Sequence, residues 1–283
     1  MDDSVSKKFA RKAYYGVIDI KERLSGQRDQ LTPPKKLRAF IGINSEKDFK
    51  SVGDEFFKYF IDLGKLKLYE RVLDVGCGIG RMAVPLTEYL NEKGSYEGFD
   101  IYAEGINWAT KSISSKFPNF HFKFVDIQNK SYNPEGKFKA SDFKFPYEND
   151  YFDFIFLTSV FTHMLPKDLE NYLSELVRVL KTNGRCLITF FLLDEESSKL
   201  VETKQSSMDF KYTLAEGLRT IDNKEPENAL AYDENHVKML YKKYGLTIEE
   251  PVRYGCWSGR KKCLSLQDII VAHKSDIKVA SQS

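Results

Sequence analysis

The sequence predicts an α/β fold in which helices cover both faces of a mostly parallel β-sheet. From Arg71 onward, short segments rich in β-branched and aromatic residues alternate with segments of helical periodicity. The segment 166–181 shows the helical period most clearly, because its apolar residues recur every three or four positions. With 283 residues, of which 42% are hydrophobic, the chain is long enough for one main domain and an appended lid.

The same patterns give the order of the elements. A helix is predicted after Ser45, which forms a capping-box pattern with Asp48, and it ends at Gly64. The Asn183–Gly184 pair is expected to end the helix over 166–181. Further helices are predicted at 81–92, 103–116 and 233–244. Strands are predicted at 71–75, 95–99, 120–125, 152–157, 185–192, 246–252 and 267–273.

The chain divides into an N-terminal segment and a main domain. Residues 1–45 contain a helical pattern and a Pro33–Pro34 turn, and we expect a helical lid there. Residues 46–283 form the main domain. Within it, the polar and poorly periodic stretch 194–232 is predicted to leave the core, as a candidate cap on one side of a ligand site.

The charge balance gives no reason to expect a nucleic-acid partner. The 43 Lys and Arg nearly offset the 41 Asp and Glu, for a net charge of +2. Residues 1–38, in contrast, hold ten basic and five acidic residues. This local excess is typical of a solvated helix face, and peripheral association with a membrane surface through this segment is the alternative.

Cysteine usage predicts a cytoplasmic protein. The four cysteines form no CxxC pair, and Cys77 and Cys186 lie in or beside apolar segments, where a reduced thiol behaves as a small hydrophobic group. Cys256 and Cys263 are close enough in sequence to meet across a hairpin, but two thiols alone are weak evidence for a disulfide or for zinc. The four histidines are scattered and show no metal-ligand spacing either, so we predict no metal site; a divalent ion held by Asp and His is the alternative. The sequence also shows no secretory signal and no apolar stretch near the roughly 18 residues that span a bilayer.

A glycine-rich loop comes directly after the first predicted strand. The segment Gly76-Cys77-Gly78-Ile79-Gly80 lets a ligand approach the backbone at the start of a helix. A dinucleotide-binding loop that began at Gly76 would need glycine at the position of Arg81. Asp74, two residues before the first glycine, would repel a phosphate but attract an α-ammonium group. The loop therefore favours an adenosyl amino acid over a dinucleotide.

The next strand ends at Asp100, whose carboxylate can accept hydrogen bonds from both hydroxyls of a ribose. An acid at this place serves NAD and S-adenosylmethionine equally. By itself it does not discriminate between the two ligands.

Four segments, "LDVGCGIGR", "GFD", "FDFIFLTSVFTHM" and "LSELVRVLKTNGRCLITF", together resemble the class I S-adenosylmethionine-dependent methyltransferases over about residues 46–193. The resemblance implies a seven-stranded sheet with a reversed terminal hairpin and S-adenosylmethionine as the cofactor. It places Asp74 and the glycine loop at the methionine end of the cofactor, and Asp100 on its ribose. The full set of implied cofactor residues is Asp74, Gly76, Cys77, Gly78, Gly80, Arg81, Asp100, Ile101, Asp126, Ile127 and Thr158.

The residue that contacts the adenine stays open at this point. In the family an acid after the third strand often lies near the adenine, and Asp126 in "FVDI" fits that position. Asp142 is the alternative. It lies in the insertion 128–147, which is longer than the usual family pattern.

The residues after the fourth strand narrow the choice of acceptor. Amino-group methylases of nucleic acids resemble one another in an Asn/Asp-Pro-Pro-aromatic tetrad, whereas this chain has Leu157-Thr158-Ser159-Val160. A Pro-Cys nucleophile for pyrimidine methylation is also missing. Oxygen acceptors remain, and an alcohol must lose a proton as it is methylated.

His163 is the candidate general base, because it lies just past the fourth strand and imidazole titrates near neutral pH. The alternative is a histidine that caps the next helix or only lines the cofactor pocket. The other three histidines are predicted to be structural: His121, His236 and His273.

The terminal hairpin over 253–268 carries Tyr254, Trp257 and Arg260, which combine flat faces with hydrogen-bond donors. We expect these residues, with His163, to bind the acceptor, and the alternative is that the aromatic residues complete the core. The pattern "YGCWSGR…SLQDII" is similar, less specifically, to the end of methyltransferases encoded beside bacterial glycan-assembly enzymes. This resemblance implies O-methylation of a sugar hydroxyl in a glycan or glycoconjugate. An O-methyltransferase of a small secondary metabolite and a non-catalytic module that binds S-adenosylmethionine are the alternatives.

Overall fold

A seven-stranded sheet forms the centre of the protein. The computed structural model describes residues 14–20, 29–43, 45–130 and 132–275. The strands are β1 (Arg71–Val75), β2 (Ser95–Asp100), β3 (Phe120–Phe124), β4 (Phe152–Leu157), β5 (Leu180–Phe190), β6 (Leu192–Leu193), β7 (Tyr212–Ala215), β8 (Leu218–Thr220), β9 (Leu230–Asp233), β10 (Leu246–Ile248) and β11 (Asp268–Lys274). The helices are α1 (Lys35–Phe40), α2 (Glu46–Asp62), α3 (Ala83–Leu86), α4 (Ala103–Ala109), α5 (Pro166–Val179), α6 (Glu195–Glu202) and α7 (Glu234–Lys243).

The order of the central sheet is β3-β2-β1-β4-β5-β11-β10. Strand β1 pairs in parallel with β2 and β4, and β4 pairs in parallel with β5. Strand β11 is antiparallel to both β5 and β10. The predicted fold class, a mostly parallel sheet with a reversed terminal hairpin, is therefore confirmed.

Helices cover both faces of this sheet. Leu73 and Val75 of β1 belong to one apolar cluster with α5 and α7. Val72, next to Leu73 in the strand, belongs to a second cluster with α2, α3 and α4. Because successive side chains of a strand point to opposite faces, a strand buried on both faces is apolar at nearly every position. Asp74 interrupts this pattern, since it is a buried carboxylate at the end of a buried strand.

Most predicted helices are present with small shifts of their ends. Ser45 accepts a hydrogen bond from the Asp48 backbone N–H at 2.9 Å, as its capping pattern predicts. Helix α5 ends at Val179, earlier than predicted, because Leu180 already pairs with Phe152 in the sheet. The Asn183–Gly184 pair therefore lies inside β5 rather than at the end of a helix.

Two elements are much shorter than predicted. The helix expected over 81–92 is only the single turn α3, because Pro85 has no N–H to bond the carbonyl of Arg81. The strand expected over 246–252 ends at Ile248, and Pro251 likewise has no N–H for the ladder.

The stretch 194–232 builds most of a second, small sheet, in the order β6-β9-β8-β7. Phe191, Phe210 and Trp257 belong to the apolar cluster that packs with this sheet. The low periodicity of the sequence concealed these strands, which are only two to four residues long.

The described part of the N-terminal segment packs beside the central sheet. Residues 14–20 are helical, and Asp19 accepts hydrogen bonds from the backbone N–H groups of Lys35 at 2.5 Å and Lys36 at 3.3 Å. Lys36 pairs with Glu104 at 2.6 Å. Residues 1–13, 21–28 and 44 lie outside the described residues, so the lid stays a prediction.

Candidate active site

A cavity of about 560 Å³ opens at the carboxyl ends of β1, β2 and β4. This is the edge at which open α/β sheets bind their ligands. The structure brings the following predicted site residues together on its wall: Asp74, Gly76, Cys77, Gly78, Arg81, Asp100, Ile101, Ile127, Thr158 and His163. Gly80 and Asp126 lie outside the lining, as do Tyr254, Trp257 and Arg260.

Asp74 is 1% exposed and has one oxygen without a partner. The Tyr96 hydroxyl donates to Oδ2 at 2.6 Å, whereas Oδ1 receives no hydrogen bond from any described residue. Burial raises the pKa of Asp74 to about 8, and the Tyr96 hydrogen bond and Arg81 only partly oppose this effect. A buried, unsatisfied carboxylate oxygen on a cavity wall is suited to a cationic ligand.

The glycine loop is shaped for close approach. Gly76 and Gly78 have φ angles of 80° and 56°, which side chains rarely tolerate. A Cβ at Gly76 would come within 2.5 Å of the Val160 side chain, whereas one at Gly78 would meet nothing within 4 Å. A side chain at Gly78 would thus project into open space beside the cavity.

The backbone amides of the glycine loop are largely hydrogen-bonded within the protein. The N–H groups of Gly76 and Cys77 donate to the Phe99 carbonyl at 2.9 and 3.1 Å. The Gly78 N–H donates to Asp100, and that of Gly80 to the Cys77 carbonyl. These bonds fold the loop against the end of β2 and leave fewer of its amides for a ligand carboxylate. The cations that line the cavity are Arg81 and Lys139, and Arg81 is the one close enough to Asp74 to affect its pKa.

Asp100 connects the loop to the end of β2. Its Oδ2 accepts the Gly78 N–H and its Oδ1 the Tyr102 N–H, both at 2.7 Å. Burial raises the pKa of Asp100, and these backbone donors oppose the rise. Each carboxylate oxygen can accept a second hydrogen bond, so a ligand diol can still bind there.

Arg81 lies on the same wall as Asp74. Burial lowers the pKa of its guanidinium, and the carboxylates of Asp74 and Glu55 oppose this effect. A carboxylate and a guanidinium on one wall complement the ammonium and carboxylate of an amino acid.

His163 ends a short 3₁₀ turn, Phe161–His163, that comes after β4. Its Nδ1 lies 2.9 Å from the Glu227 carbonyl, which belongs to a second 3₁₀ turn, Pro226–Asn228. Its Nε2 lies 3.5 Å from the Ser159 hydroxyl. Burial lowers the pKa of His163, so the imidazole is neutral at pH 7.

A sequence profile described as "Methyltransferase domain" matches residues 67–243, which is more than half of the chain. The chain belongs to this methyltransferase family. It is a class I S-adenosylmethionine-dependent methyltransferase, as the sequence resemblance implied, and S-adenosylmethionine is its cofactor.

Solved structures show the same fold as this methyltransferase. The PH0226 protein of Pyrococcus horikoshii OT3 is 20% identical, with a TM-score of 0.56 over 84% of this chain and 96% of that one. An S-adenosylmethionine-dependent methyltransferase of Methanosarcina mazei is 23% identical, with a TM-score of 0.52 over 75% of this chain and 95% of that one.

A curated relative is also similar over part of its length. It is a protein of Thermoplasma acidophilum named as a probable cobalt-precorrin-6B C(15)-methyltransferase (decarboxylating), 26% identical over 115 residues. The match covers 35% of this methyltransferase and about half, 56%, of that relative.

The cavity of the methyltransferase fits its cofactor. The unpartnered Oδ1 of Asp74 suits the ammonium of the methionine end, and Arg81 suits its carboxylate. Asp100 suits the ribose hydroxyls. Ile101 and Ile127 line the same cavity with apolar side chains that would suit an adenine ring.

Neither acid considered for the adenine lines the cavity of the methyltransferase. The Asp126 carboxylate accepts from the Asn133 side chain at 3.1 Å and pairs with Lys137 at 3.7 Å. Asp142 also lies outside the lining, although its neighbour Ser141 is part of it. The insertion 128–147 therefore lines the cavity through residues other than Asp142.

The three acceptor residues expected in the terminal hairpin have structural contacts in the methyltransferase. Trp257 is fully buried and donates its Nε1–H to Asp268 at 2.7 Å. Arg260 pairs with Asp194 and Glu196 and lies 4.1 Å from the centre of the Tyr254 ring. Trp257 therefore matches the alternative in which the aromatic residues complete the core, whereas Tyr254 is half-buried and lines a separate cavity with Asp194 and Glu234.

We expect Trp257→Ala to lower the free energy of unfolding by about 3–5 kcal/mol, because it removes a large buried ring. The folded fraction should keep its affinity for adenosylhomocysteine. Denaturant unfolding and calorimetry measure the two quantities. Lost acceptor turnover with unchanged stability would contradict this result and return Trp257 to the acceptor site.

Cys256 and Cys263 form a disulfide that the sequence only weakly suggested. Cys77 and Cys186 are free and buried, as predicted. Within the ranges that the structure describes, no three His, Cys, Asp or Glu residues are grouped to hold a metal ion. In the same ranges, no helix is long and apolar enough to cross a membrane.

Several cavity residues were not predicted from the sequence. The insertion, α5 and the 194–232 stretch contribute five that are charged or aromatic: Tyr132, Lys139, Asp168, Tyr172 and Glu227. Phe99 and Tyr102 are further aromatic residues of the wall, and Ile41 comes from the N-terminal segment. In the sequence, only the unusual length of the insertion indicated that its residues reach the cavity. The sequence around Glu227 held no signal, because its contact with His163 joins residues 64 positions apart.

Proposed function

We propose that this methyltransferase methylates a sugar hydroxyl of a glycan or glycoconjugate, with His163 as the general base. The observation that carries the proposal is the orientation of the imidazole. A backbone carbonyl can only accept a hydrogen bond, so the contact with Glu227 requires the proton of the neutral ring to be on Nδ1. The lone pair is then on Nε2.

The position of Nε2 supports its role. It lies near the Ser159 hydroxyl on the cavity wall, where an acceptor hydroxyl would compete for the same nitrogen. A neutral imidazole with a fixed tautomer can take that proton at pH 7. Bound S-adenosylmethionine supplies an electrophilic methyl group on a sulfonium sulfur.

Ser159 is held in a strained conformation that is consistent with a functional turn. Its φ angle is 60°, which is rare outside glycine. The Ser159 N–H donates to the Thr189 hydroxyl at 2.7 Å, and the Gln267 side chain donates to the Ser159 hydroxyl at 3.1 Å. These contacts fix the end of β4 and thereby place the 3₁₀ turn that carries His163.

Polar groups around His163 support a polyol acceptor over a hydrocarbon-like one. Asp168 and Glu227 line the same cavity, and neither carboxylate forms an ion pair with another described residue. Unpaired carboxylates accept hydrogen bonds from hydroxyl groups. A small secondary metabolite with a phenolic hydroxyl is the competing acceptor.

An acceptor panel tests this proposal. The enzyme and methyl-labelled S-adenosylmethionine are incubated with methyl glycosides and short oligosaccharides, and in parallel with catechols. We expect label in the saccharides. Label in the catechols alone would overturn the sugar assignment, and binding of adenosylhomocysteine without transfer to any acceptor would favour the non-catalytic module.

The remaining expectations about location and partners stay predictions. They are a cytoplasmic location and, as an alternative role of the basic N-terminal segment, peripheral association with a membrane. The Cys256–Cys263 disulfide weighs against a reducing compartment, where such bonds are rare. Cell fractionation would test both the cytoplasmic location and the membrane association.

A further inference from the structure

A small recess of about 80 Å³ adjoins the main cavity beside His163. It is formed by the insertion on one side and by the 3₁₀ turn Pro226–Asn228 on the other. Asn129, Tyr132, His163 and Glu227 line both the recess and the main cavity. The two spaces are therefore neighbours that share part of their walls, and the candidate base His163 lies on the shared part.

The chemistry of the recess suits a carbohydrate ring. Tyr132 offers an aromatic ring that is 42% exposed and makes an edge contact with Phe40 at 5.7 Å. Glu225, Glu227 and Asn228 add carboxylate and amide groups around it, and Lys130 adds an ammonium group. An aromatic surface together with carboxylates and amides binds a ring with apolar C–H faces and a rim of hydroxyls.

Glu227 joins the recess to the base. Its backbone carbonyl accepts the Nδ1–H of His163, and the residue lines the space in which the acceptor would lie. A hydroxyl that bonds this carboxylate would bring the neighbouring hydroxyl of the same ring toward Nε2. The 3₁₀ turn Pro226–Asn228 would thus have two roles: its backbone would orient the base, and its carboxylate would determine which hydroxyl is methylated.

We propose that this recess and the adjoining part of the main cavity together form the acceptor subsite, in which one sugar ring packs on Tyr132 and bonds the Glu227 carboxylate through a hydroxyl next to the one that is methylated. This inference rests on the proposed function and adds the residues that recognise the sugar. Tyr132 and Glu227 are specificity residues, and His163 remains the base.

The test uses Tyr132→Ala, Tyr132→Phe and Glu227→Gln, assayed with the methyl glycoside that the wild-type enzyme methylates best. We expect Tyr132→Ala and Glu227→Gln each to raise the acceptor KM about tenfold. Tyr132→Phe should keep the wild-type KM. Glutamine keeps the backbone carbonyl that orients His163 but removes a carboxylate that favours the charged imidazole, so Glu227→Gln should shift the rising limb of the kcat pH profile to lower pH.

Matched controls separate these effects from misfolding. Tyr69→Ala removes a ring that is 58% exposed and lies outside both cavities, and Glu216→Gln alters an exposed carboxylate of the β7–β8 turn. Both should keep the wild-type KM. For every variant, the melting temperature and the Kd of adenosylhomocysteine should equal those of the wild type.

The outcomes distinguish the inference from the function on which it rests. If wild type methylates glycosides and the Tyr132 and Glu227 variants keep its KM, the subsite is wrong and the proposed function stands. If wild type methylates only catechols, both are wrong. A Glu227→Gln enzyme with an altered pH profile but the wild-type KM would assign the carboxylate to tuning His163 and overturn its contact with the sugar.

Discussion

Asp74→Asn is expected to weaken the binding of adenosylhomocysteine by about 10- to 100-fold. The substitution keeps the size of the side chain and the acceptor for the Tyr96 hydroxyl. It removes the charge from a buried carboxylate whose Oδ1 has no partner. Because its side chain is neutral, asparagine cannot form an ion pair with the ammonium group of the ligand. Calorimetry measures the affinity, and Asp62→Asn, which changes a carboxylate at the far end of α2, is the control.

Proton release gives a second readout of the same contact. With a pKa of about 8, Asp74 is mostly protonated in the cofactor-free protein at pH 7. An ammonium group bound beside it favours the carboxylate, so binding should release close to one proton at pH 7. The binding enthalpy of wild type should then depend on the ionisation enthalpy of the buffer, and that of Asp74→Asn much less. Equal affinity and equal buffer dependence in both proteins would contradict the assignment.

The raised pKa of Asp74 also makes the stability of the cofactor-free protein depend on pH. The folded state holds the Asp74 proton more tightly than the unfolded state, whose carboxyl has the ordinary value of about 3.9. Stability associated with this group is therefore lost as pH rises from about 4 through 8. Asp74→Asn should consequently melt at a higher temperature than wild type at pH 8, and the two should differ least near pH 4.

His163→Asn is expected to lower kcat by about 100- to 10,000-fold, the range for removal of a general base. The asparagine amide can still donate to the Glu227 carbonyl, so the two 3₁₀ turns should stay together. The Kd of adenosylhomocysteine should change little. His121→Asn, which alters an exposed histidine of β3, is the matched control and should keep the wild-type kcat.

If His163 is the base, the rate of turnover should increase with pH as the imidazole loses its proton. Because burial lowers the pKa of His163, the base gains its proton only below the ordinary histidine value of 6.5. The value of kcat/KM should rise with pH through an apparent pKa below 6.5 and then level off at neutral pH. A His163→Asn enzyme with the wild-type kcat would show that His163 is not the base.

The cofactor half of the site was predictable because it depends on local sequence. Asp74, the glycine loop and Asp100 lie at the ends of two adjacent parallel strands, and adjacent strand ends meet at one edge of a sheet. The spacing within one βαβ unit therefore fixes the geometry of this part of the cavity. What the spacing did not show was the hydrogen bonding within the loop, which uses the amides of Gly76, Cys77, Gly78 and Gly80.

The acceptor half depends on contacts between distant segments, and sequence patterns do not record these. Glu227 reaches His163 through a turn that has no periodicity of its own. In the other direction, Trp257 and Arg260 have the composition of a sugar site but are held by Asp268, Asp194 and Glu196. Residue type alone cannot separate an aromatic residue that binds a ligand from one that fills a core.

A crystal structure with adenosylhomocysteine tests the central claim most directly. We expect the α-ammonium within hydrogen-bond distance of Asp74 Oδ1, the ribose hydroxyls at Asp100, and the sulfur turned toward the part of the cavity that contains His163 Nε2. An amino-acid end placed away from Asp74, or a sulfur separated from His163 by the protein wall, would contradict the account.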